Sequence, residues 1–122
     1  MRVLLSIKPE FAKLIFDGTK KFEFRKTIFK NKDIKTVVVY ASSPLQKVIG
    51  EFEIEDIIND NLDLLWEKTK EHAGIDRAYF NQYFAAKNEG YAIKIKSVTK
   101  YEKYQSLKDD YNLTPPQSFL YL

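Results

Sequence analysis

The chain has 122 residues, 44% of them apolar, 15% aromatic and 30% charged, which is enough to bury the core of one domain and argues against a disordered segment. It has no cysteine and a single histidine, His72, which excludes disulfides, thiolate metal sites, cysteine catalysis and any paired-histidine metal centre. A net charge of +3 and a pI near 8.9 tilt it only mildly toward anionic partners.

RVLLSI reads as a first strand, stopped by Pro9, which suits the first turn of a helix. PEFAKLIFDG then sets Phe11, Leu14 and Ile15 at helical spacing, with Gly18 as the C-terminal cap. KKFEFRK alternates as a strand, and FKNKDIKT is turn-like. TVVVYAS is β-branched and apolar throughout, so a central strand is expected, broken at SSPL. KVIGEFEIEDI is a long alternating strand in which Gly50 marks a bulge or bend. NDNLDLLWEKTKEHAG opens with a capping signal and puts Leu62, Leu65, Trp66 and Thr69 on one helical face. IDRAYFNQYFAAK is a second helix, with Asp76 near its start and Ile75, Tyr79, Phe80, Tyr83 and Phe84 as its buried set. GYAIKIKSVTKYEKY alternates again, and NLTPPQSFLYL is a loop entering a short last strand. The order β-α-β-β-β-α-α-β-β predicts an α+β fold, a small and mostly antiparallel curved sheet or barrel with helices plugging its ends. No stretch approaches the roughly 20 apolar residues of a membrane span. MRVLLSIKPEF lacks the apolar length and cleavage site of a secretory signal. A cytoplasmic setting without membrane contact is expected.

The chemistry concentrates around KKFEFRK. Alternation puts Lys21, Glu23 and Arg25 opposite Phe22 and Phe24. Lys20 has the other parity and joins them only if the turn after Gly18 breaks the alternation. Such a face is either solvated edge or the floor of a site. Arg25 can grip a phosphate with two parallel hydrogen bonds. Glu23 can accept from the exocyclic amine of a base, or pair with Arg25 or Lys20. A desolvated Lys20 loses basicity and can serve as a general base. Ser42 and Ser43, at a strand end, offer hydroxyls and N–H groups to phosphate or sugar, or simply turn the chain. Gln117 and Ser118 follow two prolines; Gln117 can read a base edge, or the loop is merely stiff. Lys8 stands at the mouth of a helix whose N-terminus attracts anions. Trp66 and the stripe of the second long helix read as core. Tyr40 and Tyr91 are core or stacking platforms. KIKSVTKYEKY carries lysines that can follow a phosphate backbone, or it is an outward strand face.

LLSIKPEFAKLIFDGTKKFEFRK, VVVYASSPLQKVIGEFEI, GYAIKIK and PPQSFLYL, in this order, resemble the ASCH domain family, a branch of the PUA-like superfamily that includes the EVE and YTH domains. The family's Gly-x-Lys-x-x-Glu-x-Arg signature falls on Gly18, Lys20, Glu23 and Arg25. The resemblance implies a PUA-like, mostly antiparallel β-barrel with helices capping its ends and a cleft beside the signature strand. In relatives this cleft is thought to receive RNA, a nucleobase or a nucleoside. The expected function is an RNA-binding domain with a small cleft for a base or modified nucleoside, acting in RNA metabolism. Binding would rest on Lys8, Lys20, Glu23, Arg25, Ser42, Ser43, Gln117 and Ser118. The alternative is a hydrolase, with Lys20 and Glu23 catalytic, because some members are described as cleaving RNA and a short branch hydrolyses the amide of N4-acetylcytidine. In that branch a Lys at the place of Lys20 acts as base and a Thr two residues before the Arg is the nucleophile. Glu23 stands in that place here, so the hydroxyl nucleophile that this route needs is missing. Neither a cofactor nor a metal is implied.

Overall fold

Apolar runs and alternating runs sort themselves into different places in one sheet. The computed structural model describes residues 1–122. Its first elements are β1 (Arg2–Ile7), α1 (Pro9–Phe16), β2 (Phe22–Arg25) and β3 (Thr36–Ala41). The continuous apolar runs of β1 and β3 are buried on both faces and pair in parallel, Val3 opposite Val37 and Leu5 opposite Val39. There follow β4 (Lys47–Asn61), α2 (Leu62–Thr69), a 3-10 turn (Lys70–His72), α3 (Arg77–Tyr83), β5 (Glu89–Gln105), α4 (Leu107–Tyr111) and β6 (Phe119–Tyr121). The six strands form one curled half-barrel in the order β2-β5-β4-β3-β1-β6, antiparallel except for the β1–β3 pair. The fold is thus α+β, as the pattern of alternating strands predicts.

Curling comes from the two long strands. The β4–β5 ladder shifts register between Val48 and Gly50, again between Glu53 and Ile54, and again between Ile54 and Asp56. Each irregularity adds local twist and bends the strand. Gly50, expected to mark a bend, lies at the first of them.

Alternation along the strands divides the core. Val3, Leu5, Ile7, Val37 and Val39 face one cluster, closed by Ala12 and Ile15 of α1. Leu4, Val38 and Tyr40 face another, closed by Leu107 of α4. Phe22, Phe24 and Ala92 pack under Leu65 of α2 and under Phe80 and Phe84 of α3. Tyr40, weighed above as a stacking platform, is therefore core. The sequence pattern did not reveal α4. Five residues with one buried apolar side chain carry no readable period, and Ser106 supplies the cap by accepting from the Asp109 N–H at 3.1 Å. No helix is long and apolar enough to cross a membrane.

Both helices of the β4–β5 connection start on capping side chains. Asn61 accepts from the Leu64 N–H at 3.0 Å, and Asp76 from the Tyr79 N–H at 2.8 Å. The Asp76 cap fixes the start of α3 and with it the direction of Tyr79. Asp76→Ala should cost about 1 kcal/mol of stability, read as a lower urea midpoint with an unchanged slope. Asp76→Ser should recover most of the loss.

Candidate functional site

β2 lies at one end of the sheet, and β1 with β6 at the other. Curling brings these ends together, and Arg25 spans the seam between them. Its Nη2 donates to the Ser118 carbonyl at 2.9 Å, and its Nη1 to the Ser6 carbonyl at 3.4 Å and to Glu23 Oε2 at 3.3 Å. The Ser6 hydroxyl crosses the same region to the Pro116 carbonyl at 3.0 Å. A recess of about 220 Å³ opens beside the seam, lined by Ser6, Ile7, Lys8, Phe11, Glu23, Phe24, Arg25, Ile75, Tyr79, Tyr83 and Gln117.

Glu23 and Arg25 reach it by strand alternation, as their parity requires. Tyr79 and Tyr83 reach it from α3, where residues four apart share a face. Phe80 and Phe84 of the same segment turn instead into the core. Two contacts hold the tyrosines. The Lys8 ammonium donates to the Tyr79 hydroxyl at 3.2 Å, and the Tyr83 hydroxyl donates to the Phe24 carbonyl at 3.2 Å. Phe11 of α1 meets Tyr79 edge to face at 5.2 Å.

Lys20 lies beneath the recess and is not part of its lining. The positive φ of Gly18, 88°, ends the helix and breaks the alternation. The chain then turns Lys20 inward, leaving only 2% of it exposed. Its ammonium donates to the Ala73 carbonyl and stands 5.3 Å and 4.9 Å from the ring centres of Phe11 and Phe24, which wall the recess. Its stem packs flat on Gly74, where an added Cβ would come within 2.6 Å of it. Burial lowers the Lys20 ammonium to a pKa of about 8, against partial support from the Glu23 carboxylate. Burial likewise raises Glu23 above the ordinary carboxylate range, opposed by the positive charges of Arg25 and Lys20. Desolvation thus moves the acid and the base toward each other.

Residues 5–120 match the model of the ASCH domain. The chain belongs to the ASCH domain family. A crystal structure of ASCH from Zymomonas mobilis superposes with a TM-score of 0.91 at 28% identity, covering 99% of this chain and 87% of that one. The ASCH domain-containing ribonuclease of Zymomonas mobilis is 28% identical over 98% of this chain and 82% of its own length. A large ribosomal subunit protein uL22 of Ureaplasma parvum serovar 3 is 32% identical over 98% of this chain, which spans only 39% of that relative.

In this ASCH domain, Lys8, Glu23, Arg25 and Gln117 come together in the recess, with Lys20 directly under it. Ser118 contributes its carbonyl to Arg25. Ser42 and Ser43 do not line the recess; the Ser42 N–H is bonded to the Ile7 carbonyl at 3.0 Å, as part of a turn. Lys21 departs from the expected face and sits with Glu71 and His72 in a different hollow, because β2 begins only at Phe22. No three His, Asp or Glu side chains converge on a point where a metal could sit. Helical spacing puts Tyr79 and Tyr83 in the buried set of α3, whereas in the structure both line the recess. Their i, i+4 spacing beside the more apolar Phe80 and Phe84 pair was the available signal.

A lysine whose folded-state pKa lies below its ordinary value binds fewer protons when folded than when unfolded, so stability must rise with pH between the two values. From pH 8 to 9.5 wild type should gain on the order of 1 to 2 kcal/mol from Lys20. Urea unfolding of Lys20→Met across the same range should lack that gain.

Proposed function

We propose that the domain binds single-stranded RNA, with one base seated in the recess beside Arg25. Sequence-specific readers of single strands stack splayed bases on aromatic rings and hydrogen-bond their edges. The observation that carries this reading is that one small hollow holds both kinds of group. Phe11, Tyr79 and Tyr83 supply aromatic surface. A guanidinium has five N–H donors, and the contacts of Arg25 to Ser6, Glu23 and Ser118 leave it two. Only one carboxylate oxygen of Glu23 accepts from Arg25, so the other is available to an exocyclic amine. Gln117 adds an amide at the rim. The volume, about 220 Å³, is below the roughly 300 Å³ of typical drug-sized pockets and suits a base better than a larger cofactor.

Anisotropy of a fluorescein-labelled single-stranded RNA should report this binding. Tyr79→Ala should weaken it about 5- to 150-fold, because stacking a base on an aromatic ring is worth about 1–3 kcal/mol. No binding by wild type in low salt would reject the reading.

A second reading, RNA cleavage, is favoured by the relative named a ribonuclease and by the convergent shifts of Lys20 and Glu23. An acid and a base brought toward neutrality are suited to proton transfer. The Glu23 carboxylate would take the 2′-hydroxyl proton as O2′ attacks phosphorus and the P–O5′ bond breaks, leaving a 2′,3′-cyclic phosphate and a 5′-oxygen that takes its proton from water. The spare Arg25 donors would face the charge that develops on the phosphate oxygens. Glu23→Gln should then abolish cleavage while retaining RNA binding. Cleavage that persists in Glu23→Gln would rule out Glu23 as the base.

A further inference from the structure

We propose that the β2–β3 connection, Lys26–Lys35, is the phosphate-binding route along which an RNA strand leaves the recess, so that the ligand is a strand and not a free nucleoside. The proposal rests on the base-binding reading above and extends it. The segment KTIFKNKDIK holds four lysines and one acid, Asp33. Its charge of +3 equals that of the whole chain, so the other 112 residues hold 16 basic and 16 acidic side chains and balance. Lys94–Lys103 of β5 has the same charge, four lysines against Glu102, but only the Lys26–Lys35 connection follows directly on Arg25.

Its geometry makes it a fixed surface. Phe29 and Ile34 are buried at 5% and 4% exposure and anchor the segment in the core. The Lys30 and Asn31 N–H groups both donate to the Tyr121 hydroxyl, at 3.1 and 3.3 Å, tying it to β6. With the apolar side chains turned inward, Lys26, Lys30, Lys32 and Lys35 are all exposed. None of them has a carboxylate within 4.0 Å; the ion pairs of the protein involve other lysines. Glu55, across the adjoining hollow, is occupied by Lys94 at 2.8 Å. The route is continuous with the recess, since the Lys26 ammonium stands 4.9 Å from the centre of the Tyr83 ring, a wall of the recess. Beyond it Lys30, Lys32 and Lys35 border a hollow of about 660 Å³, also lined by Ile28, Ile54 and Ile57. Unpaired ammonium groups on a pinned backbone meet successive phosphates at small entropic cost and with a strong salt dependence.

The probe is an eight-nucleotide, fluorescein-labelled single-stranded RNA, titrated from low to high salt. Each lysine–phosphate contact contributes about 0.7 to the slope of log K against log salt for a single strand. K26Q/K30Q/K32Q should therefore flatten the slope by about 2 and weaken binding at least tenfold in low salt, whereas the same three positions as Arg should keep both. Removing three lysines from the far half of β5, in K96Q/K100Q/K103Q, should do much less. Equal losses in the two Gln variants would overturn the route in favour of diffuse attraction. An unchanged slope and affinity in K26Q/K30Q/K32Q, with Tyr79→Ala still weakening binding, would overturn the route and leave the base site standing. No effect from any of these substitutions would overturn both.

Discussion

A single guanidinium joins the two ends of the sheet. A curled sheet of six strands leaves two edges with unpaired backbone groups, and edges are costly unless something covers them. Here Arg25, on the last position of β2, reaches carbonyls of β1 and of the segment entering β6. β6 pairs with β1 only from Val3 to Leu5, so the Ser6 carbonyl lies just past the end of that ladder. The recess exists because the edges meet through one long side chain instead of a backbone ladder. A ladder would have closed the hollow, and a shorter side chain would have left the seam open.

The charge partners around that guanidinium make the site electrically unusual. Glu23 is 6% exposed and Lys20 only 2%. Withdrawing two such charges from water is expensive, and their mutual attraction does not reliably repay it. The protein tolerates them because Arg25 donates to the carboxylate, the Ala73 carbonyl accepts from the ammonium, and aromatic faces lie on two sides of it. Groups held this way have protonation equilibria displaced toward neutral pH. The same burial that weakens the fold at this point gives the recess an acid and a base that exposed side chains would not provide.

The short helix α3 serves two purposes at once. Phe80 and Phe84 hold it against β2, while Tyr79 and Tyr83, one residue earlier in each turn, line the recess. Phe24 connects the two layers, since it packs on Phe80 at 5.4 Å between ring centres and also borders the recess. The aromatic walls are thus carried on the core itself, and the site has a rigid back.

The sequence by itself determined most of the elements, a capping signal ahead of α2, Asp76 near the start of α3, the bend at Gly50 and the shared face of Glu23 and Arg25. All of these follow from periods of two or 3.6 residues and from residues that control their own backbone. It also carried the Gly18, Lys20, Glu23 and Arg25 signature that marks the family. It could not separate Tyr79 and Tyr83 from the core stripe, because a wall of a recess and a core position share the same helical spacing. It could not place Lys20, whose burial depends on the flat surface of Gly74, 54 residues further along the chain. Above all it could not join Arg25 to the carbonyl of Ser118, 93 residues away. That contact forms only when the β4–β5 irregularities have curled the sheet far enough for its two ends to meet, and curvature is a property of the assembled ladder, not of any one strand.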